Sequence, residues 1–199
     1  MRVLRESSED EMIACFLQGE LTSHRFGPGL RAALTATDLS ERLLREADLT
    51  DENENRARRD LLGATRGYGQ NRDVFDEDFP ATVRWIRAEL NQVELARVRY
   101  IDYSYWNELS GGSRLPIDAA RRIRDGVRVF GVSNRRFVDA ARAVAQGERF
   151  PPLILVGPRR DDLVCLEGHL RLTGYALEGF PVEVECLIGT APTMGRWAR

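Results

Sequence analysis

Residues 167–171, Glu-Gly-His-Leu-Arg, have the types and the spacing of a phosphate-binding site. The apolar run 163–166 precedes them as a short strand, and from residue 168 onward the apolar spacing becomes helical. A strand that runs directly into a helix exposes the first unpaired N–H groups of that helix. Their partial positive charge favours an anion by roughly 0.3–1 kcal/mol.

The side chains of this motif, residues 167–171, add donors and an acceptor. Gly168 lets a phosphate approach the backbone, and Arg171 offers a planar guanidinium for bidentate contact. The Glu167 carboxylate would hold Mg²⁺ or accept a proton from a hydroxyl group. We therefore expect catalysis from Glu167 and His169, and phosphate contacts from Gly168, His169, Leu170 and Arg171. The same residues are equally typical of a polar strand end, a helix-start hydrogen bond and a surface arginine.

Three accessory candidates lie in or after the aromatic-rich segment 98–110. The ring of Trp106 could stack on a nucleobase, although such aromatic runs more often bury their rings in a core. Glu108 and Arg114 flank the Gly-Gly turn 111–112, and either could complete the site.

The elements around the motif form a small α/β unit. The apolar runs 153–156 and 163–166, joined by a short polar turn, predict a hairpin. A helix follows and stops at Gly179, and residues 182–188 alternate apolar residues with glutamates, which predicts a closing strand. The order is strand, turn, strand, helix, strand.

The first hundred residues are predicted to be helical. Ser8 and Asp51 have the position of helix N-caps, and the apolar residues within 39–47 predict a short helix between them. Pro80 opens a further predicted helix, with apolar residues at helical spacing: Val83, Ile86 and Leu90. Glu54 and Arg58, four positions apart, are expected to form a surface ion pair.

Two more helices are predicted between these regions, one opened by Pro116 and one capped by Ser133. Their basic residues suggest a helix-turn-helix that contacts DNA, although such a face is more often simply solvated: Arg121, Arg122, Arg124, Arg128, Arg135 and Arg136. Residues 111–160 hold eleven arginines against four acidic residues, an excess that could attract an anion.

Composition limits the classes of function. Apolar residues make up 43% and charged residues 30% of the 199 residues, which fits a globular protein. All 29 basic residues are arginine, which excludes a P-loop lysine or a lysine Schiff base, and the net charge of −2 is unlike that of a dedicated nucleic-acid binder. Three cysteines without a CxxC spacing argue against disulfides and suit a cytoplasmic location. No apolar stretch is long enough for a membrane span, so we expect no membrane partner.

The motif and its flanking strands resemble the ParB/sulfiredoxin superfamily. The resemblance covers about 40 residues: segment 150–156, strand 163–166, the motif and the tail 179–182; residues 98–150 match more loosely. Members include CTP-dependent DNA clamps, nucleases, ATP-dependent sulfinic-acid reductases and ADP-dependent free-serine kinases. The resemblance implies a nucleotide phosphate at the motif.

Departures within the motif rank these members. The reductases carry a cysteine where this chain has Gly168, and the clamps carry an arginine pair that is absent here. The serine kinases carry acid-Gly-His-His-Arg, from which this chain differs at Leu170 and by having Glu167 for the usual aspartate. That match is the closest.

We therefore expect an α/β (α+β) protein, with a helical N-terminal region (residues 1–97) packed on a small mixed sheet in a nucleotide-binding domain (residues 98–199). The expected function is phosphoryl transfer from ATP or ADP, with Mg²⁺, to a small hydroxylated metabolite. The alternatives are a ParB-like DNA-binding protein or nuclease, and a nucleotide-sensing module, for CTP among others, without catalysis. The sequence does not indicate an oligomeric state.

Overall fold

The computed structural model describes residues 1–76, 79–181 and 183–194. The fold is mixed α/β, as predicted. The described helices are α1 (Glu9–Leu21), α2 (Gly27–Ala36), α3 (Arg42–Arg45), α4 (Glu52–Arg66), α5 (Gln92–Leu95), α6 (Ser104–Ser110), α7 (Pro116–Arg124), α8 (Arg135–Ala145) and α9 (His169–Leu177). The described strands are β1 (Arg2–Glu6), β2 (Arg84–Asn91), β3 (Arg99–Tyr100), β4 (Leu153–Arg159), β5 (Asp162–Glu167) and β6 (Glu183–Thr190). No described helix has both the length and the apolar character that a membrane crossing requires.

The chain divides into two compact units. The helical unit is Ser7–Trp85, and the sheet unit combines Met1–Glu6 with the described residues from Ile86 onward. The domain boundary between residues 97 and 98 stays a prediction.

The sheet has the strand order β1-β2-β6-β4-β5-β3. Strand β5 is antiparallel to β4 and parallel to β3, with Ile154 opposite Glu167 and Tyr100 opposite Cys165. The ends of β3 and β5 and the start of β4 therefore lie at one edge of the sheet, which we call the motif edge. Core side chains such as Leu153 are fully buried beneath it.

The C-terminal elements follow the predicted order. Strands β4 and β5 form the predicted hairpin, and α9 begins directly after Gly168. Strand β6 closes the unit by pairing in parallel with β4. Val182, the first residue of the predicted last strand, lies outside the described residues. Helix α7 begins at Pro116 as predicted, whereas α8 begins at Arg135, one residue later than a Ser133 cap would place it.

The predicted helix after Pro80 is wrong, because Arg84–Asn91 is strand β2. Ile86, Ala88 and Leu90 are buried in alternation, the period of a strand. A spacing of four residues, as between Ile86 and Leu90, fits both the helical and the strand period, so it did not distinguish them. Strand β1 was missed because all five of its residues are exposed, which leaves no apolar alternation to recognise.

The helical unit keeps both predicted caps. The Ser8 hydroxyl accepts the Glu11 N–H at 3.2 Å, and the Asp51 carboxylate accepts the Asn53 N–H at 2.8 Å. The expected surface pair of Glu54 and Arg58 is wrong in one respect, because Arg58 is fully buried. Its guanidinium also donates to backbone carbonyls that sequence spacing does not reveal.

Candidate functional site

Gly168 connects the end of β5 to the start of α9 in a conformation that favours glycine. Its φ is 105°, and a Cβ built there would lie 2.6 Å from Cδ2 of Leu153. The first hydrogen bond inside α9 runs from the Leu172 N–H to the Gly168 carbonyl at 2.9 Å. The N–H groups of Leu170 and Arg171 precede that bond and lie at the positive end of the helix.

Arg171 is a buried cation whose guanidinium makes only weak hydrogen bonds. Its residue is 8% exposed, and Nη2 lies 3.4 Å from both the Pro152 carbonyl and a carboxylate oxygen of Glu167. Both distances are at the long limit of a hydrogen bond, and Nε has no partner among the described residues. Because burying a guanidinium is costly unless its donors are satisfied, this arrangement favours a further anion. The alternative interpretation, a solvated surface arginine at position 171, is therefore wrong.

His169 is held by a stack of aromatic rings. Its imidazole lies parallel to the indole of Trp106, with centroids 4.9 Å apart, and 6.1 Å from the ring of Tyr100. Trp106 also stacks on Tyr100 at 4.7 Å and meets Phe137 edge-on at 6.1 Å. The indole therefore fixes the plane of the imidazole at the start of α9.

A buried hydroxyl pair fastens the first turn of α9 to β3. The Thr173 hydroxyl donates to the His169 carbonyl at 2.7 Å, so Tyr100 is the donor in the 2.7 Å contact between the two hydroxyl groups. Burial raises the pKa of Tyr100 well above its usual range. Tyr100 consequently stays protonated near neutral pH and has a positioning role.

Arg114 lies beside the end of β3, at the start of α7. Its Nε donates to the Tyr100 carbonyl at 2.9 Å, and its own carbonyl accepts the Tyr100 N–H at 2.8 Å. The residue is 7% exposed, and Nη2 has no partner among the described residues. Burial lowers the pKa of Arg114. Its backbone φ is 60°, a value that is uncommon for residues other than glycine. The sequence named this residue as an accessory, and the structure gives the motif edge a second buried arginine.

Helices α8 and α9 run in the same direction from the motif edge. Near their starts, Trp106 contacts both Phe137 of α8 and His169 of α9. One turn further on, a Cβ at Gly174 would lie 3.0 Å from the Cβ of Ala140. Their N-termini therefore lie at the same end.

Helix α7 shares this direction. At its end, Arg124 donates to the Leu177 carbonyl in the last turn of α9, while Arg114 before its start lies beside Tyr100. The positive ends of three helix dipoles and the two buried arginines thus lie at one end of the sheet unit. This arrangement suits an anionic ligand.

Two carboxylates differ in their relation to this edge. Glu108 is exposed and forms no side-chain hydrogen bond or ion pair among the described residues. It lies two positions from Trp106, on the opposite face of α6. Asp102, which sequence reasoning did not single out, lies two residues after the end of β3 and accepts a hydrogen bond from the Asn107 side-chain amide at 2.7 Å. Its position just beyond the end of a strand is the signal that could have identified it.

The two cysteines of the sheet unit are unsuited to nucleophilic chemistry. Cys165 and Cys186 are fully buried, and burial raises the pKa of each thiol well above its usual value. Neither is a thiolate near neutral pH. The described residues contain no cluster of three or more metal-ligating side chains.

Comparison with protein-family models, with curated proteins and with solved structures finds no match to this chain. The chemistry of the motif edge is therefore the guide to function. That edge combines buried guanidinium groups, helix N-termini and the half-buried carboxylate of Glu167. Such a combination can bind phosphate and can accept a proton from a neighbouring hydroxyl group.

Proposed function

We propose that this protein is a nucleotide-dependent enzyme of the ParB/sulfiredoxin type, which transfers a phosphoryl group from ATP or ADP to a small hydroxylated metabolite. The observation that carries the proposal is the state of Arg171. This guanidinium is more than nine-tenths buried at the start of α9, with two long contacts and an Nε without a partner among the described residues. A phosphate oxygen would supply the missing acceptor.

In this proposal the phosphates bind at the first turn of α9. The N–H groups of Leu170 and Arg171 donate to phosphate oxygens, Gly168 leaves room for them, and His169 adds a donor. The guanidinium of Arg171 adds a charge-assisted hydrogen bond worth about 1.5–3 kcal/mol. The same groups would stabilise the charge that develops on the transferred group.

Transfer requires that the acceptor hydroxyl lose its proton. The Glu167 carboxylate takes that proton, the hydroxyl oxygen forms a bond to the terminal phosphorus, and the bond from phosphorus to the bridging oxygen breaks. The products are the phosphorylated metabolite and a nucleotide shorter by one phosphate. Because the side chain of Glu167 is only 20% exposed, its carboxylate is partly shielded from water while still open to a ligand.

The donor set at the motif edge also fits Mg²⁺ shared with a nucleotide. Mg²⁺ in such sites takes one or two protein carboxylates together with phosphate oxygens and water, so a three-residue cluster is not required. Glu167 would be its protein ligand if it does not serve as the base. Bound Mg²⁺ would neutralise charge on the phosphates.

DNA binding through α7 and α8 has less support from the contacts of these helices. Arg121 and Arg135 pair with acidic residues of their own helices, and Arg124 donates to the Leu177 carbonyl. DNA binding would predict a steep salt dependence that is lost on mutation of Arg121 and Arg122. A sensing module would bind nucleotide and consume none.

Calorimetry with ADP and ATP, with and without Mg²⁺, tests the binding part of the proposal. Arg171→Ala should weaken binding by about 10- to 150-fold, the equivalent of the lost charge-assisted bond. Arg160→Ala, an exposed arginine of the same unit, is the matched control and should bind like wild type. Equal nucleotide affinity of Arg171→Ala and wild type would contradict the proposed phosphate site.

Turnover in a pool of hydroxylated metabolites tests the catalytic part. Glu167→Gln should keep or improve metal-free nucleotide binding, because it removes a negative neighbour of the phosphate. Its nucleotide consumption should fall by about 10²–10⁴-fold if Glu167 is the base. Glu178→Gln, exposed directly after α9, is the control. Binding without consumption by wild type would favour the sensing module.

A further inference from the structure

Phe130 is an exposed aromatic residue in a strained backbone conformation. Its residue is 68% exposed, and its φ of 51° lies in the left-handed region, which is rare for a bulky side chain. Such strain costs on the order of 1–3 kcal/mol and persists where the surrounding structure enforces it, often at binding sites. Burial of the ring does not explain this position, since most of the ring faces solvent.

The loop between α7 and α8 holds Phe130 in place. The Asn134 side chain donates to the Val127 carbonyl at 2.6 Å and closes the loop on itself. Gly131, the next residue, also has a positive φ of 71°. Tyr105 supports one part of the ring, with centroids 6.5 Å apart. The loop therefore presents a fixed aromatic surface to solvent.

The charge around this ring is positive. Arg128, in the same loop, and Arg136, in the first turn of α8, are exposed and form no ion pair among the described residues. Burial raises the pKa of Tyr105, and the positive charge of Arg136 opposes that rise, so Arg136 acts on the tyrosine that supports Phe130. An aromatic face beside free guanidinium groups suits a planar ligand that also carries negative charge.

A line of ring contacts connects Phe130 to the motif. Tyr105 meets Trp106 edge-on at 5.1 Å, and Trp106 stacks on His169 at 4.9 Å. Phe130 is thus connected to His169, the first residue of α9, through two aromatic side chains, Tyr105 and Trp106. Both features belong to the end of the sheet unit where α8 and α9 begin.

We propose that the face of Phe130 stacks on the base of the nucleotide whose phosphates bind at the motif. This inference rests on the proposed function and adds the base subsite to it. A protein partner is less suited to this surface, because a stable interface of about 1,200 Å² or more needs a wider apolar patch than one ring among arginines. A single base matches the ring in size, and a base tolerates the positive charge beside the ring.

The test compares ADP with inorganic pyrophosphate, which lacks the base. Phe130→Gly should weaken ADP binding by about 5- to 150-fold, the range of one lost base–aromatic stack, and should leave pyrophosphate binding unchanged. Phe130→Trp should retain ADP affinity and show fluorescence quenching on ADP addition. Val138→Ala, which alters another exposed apolar side chain of the same region, is the control and should bind both ligands like wild type.

The melting temperature separates this role from a structural one. Glycine relieves the positive φ, so Phe130→Gly should melt at or above the wild-type temperature while losing ADP affinity. A lower melting temperature with equal losses for ADP and pyrophosphate would assign Phe130 to the fold and overturn the inference. Unchanged ADP binding would overturn it too, while leaving the phosphate site intact.

Two further outcomes are distinguishable. If wild type binds neither pyrophosphate nor ADP, the phosphate site and the base subsite both fall. If Phe130→Gly loses affinity only for a single-stranded oligonucleotide, the ring serves nucleic-acid binding and the mononucleotide subsite is overturned.

Discussion

The imidazole of His169 lies parallel to the indole of Trp106, with ring centroids 4.9 Å apart and an interplanar angle of 16°. Trp106 lies on α6 and His169 is the first residue of α9, so the stack joins two elements that are far apart in sequence. It holds one proposed phosphate donor at the motif edge.

Replacing Trp106 with leucine should release the imidazole. We expect pyrophosphate affinity to fall by about fivefold, since one hydrogen bond with a net value of about 1 kcal/mol loses its geometry. Trp106→Phe keeps a ring beside His169 and should restore most of the affinity, which a general packing defect would not allow. Calorimetry on both variants, with melting temperatures, checks this; equal affinities for Trp106→Leu and wild type would contradict it.

Gly168→Ala should impair phosphate binding, whereas alanine at another glycine with positive φ should affect stability alone. The new Cβ would meet Cδ2 of Leu153 at 2.6 Å and Nη2 of Arg171 at 3.0 Å, in addition to the strain of φ 105°. Gly147, with φ 82° and nothing within 4 Å of its Cβ position, is the matched control. Gly147→Ala should lose roughly 1–2 kcal/mol of stability from the positive φ alone. Gly168→Ala should lose more because of the two close contacts, and only this variant should also lose phosphate binding. The two measurements are urea unfolding and calorimetry.

Arg58→Met should strongly destabilise the helical unit. The side chain is 1% exposed and donates to Glu54 at 3.1 Å and to the carbonyls of Leu43 and Asp48 at 3.1 and 2.7 Å. Removing the cation leaves these buried acceptors without a donor. The free energy of unfolding, measured in urea, should fall by about 3–5 kcal/mol. Arg59→Met, whose exposed side chain has a surface ion pair, should cost about 0–1 kcal/mol. Similar losses for both variants would refute the role of Arg58.

Glu54 should make the helical unit sensitive to acid. The hydrogen bond from Arg42, supported by Arg58 and opposed by burial, lowers the pKa of Glu54 below its ordinary value of 4.5. A carboxyl with a lowered folded-state pKa stabilises the fold above its unfolded-state pKa, and that contribution is lost as pH falls through the folded-state pKa. The urea midpoint of wild type should therefore exceed that of Glu54→Gln at pH 7, and the gap should narrow toward pH 3. Glu52→Gln, at an exposed position, should show no such gap.

The C-terminal elements were predictable because their signals are local. Apolar runs, the glycine at residue 168 and the stop at Gly179 each specify structure within a few residues. Arg171 illustrates what was not predictable: its type was read correctly, yet its burial depends on β4, whose start is 19 residues away. The burial of Arg58 likewise depends on carbonyls 10 and 15 residues distant.

The N-terminal strands were missed for a different physical reason. Strand β1 is exposed throughout, and β2 carries apolar residues whose spacing also suits a helix. Their pairing is decided by long-range hydrogen bonds, such as those of the register Arg2 opposite Glu89, which sequence periodicity does not encode. The aromatic stack of Trp106 and His169 is a tertiary contact of the same kind.

All the proposed chemistry requires that phosphate bind at the first turn of α9. A crystal soaked with ADP measures this most directly. We expect phosphate oxygens within hydrogen-bond distance of the backbone N–H groups of Leu170 and Arg171 and of the Arg171 guanidinium. Phosphate density found only among the arginines of residues 121–136, with the start of α9 free of anion, would contradict it.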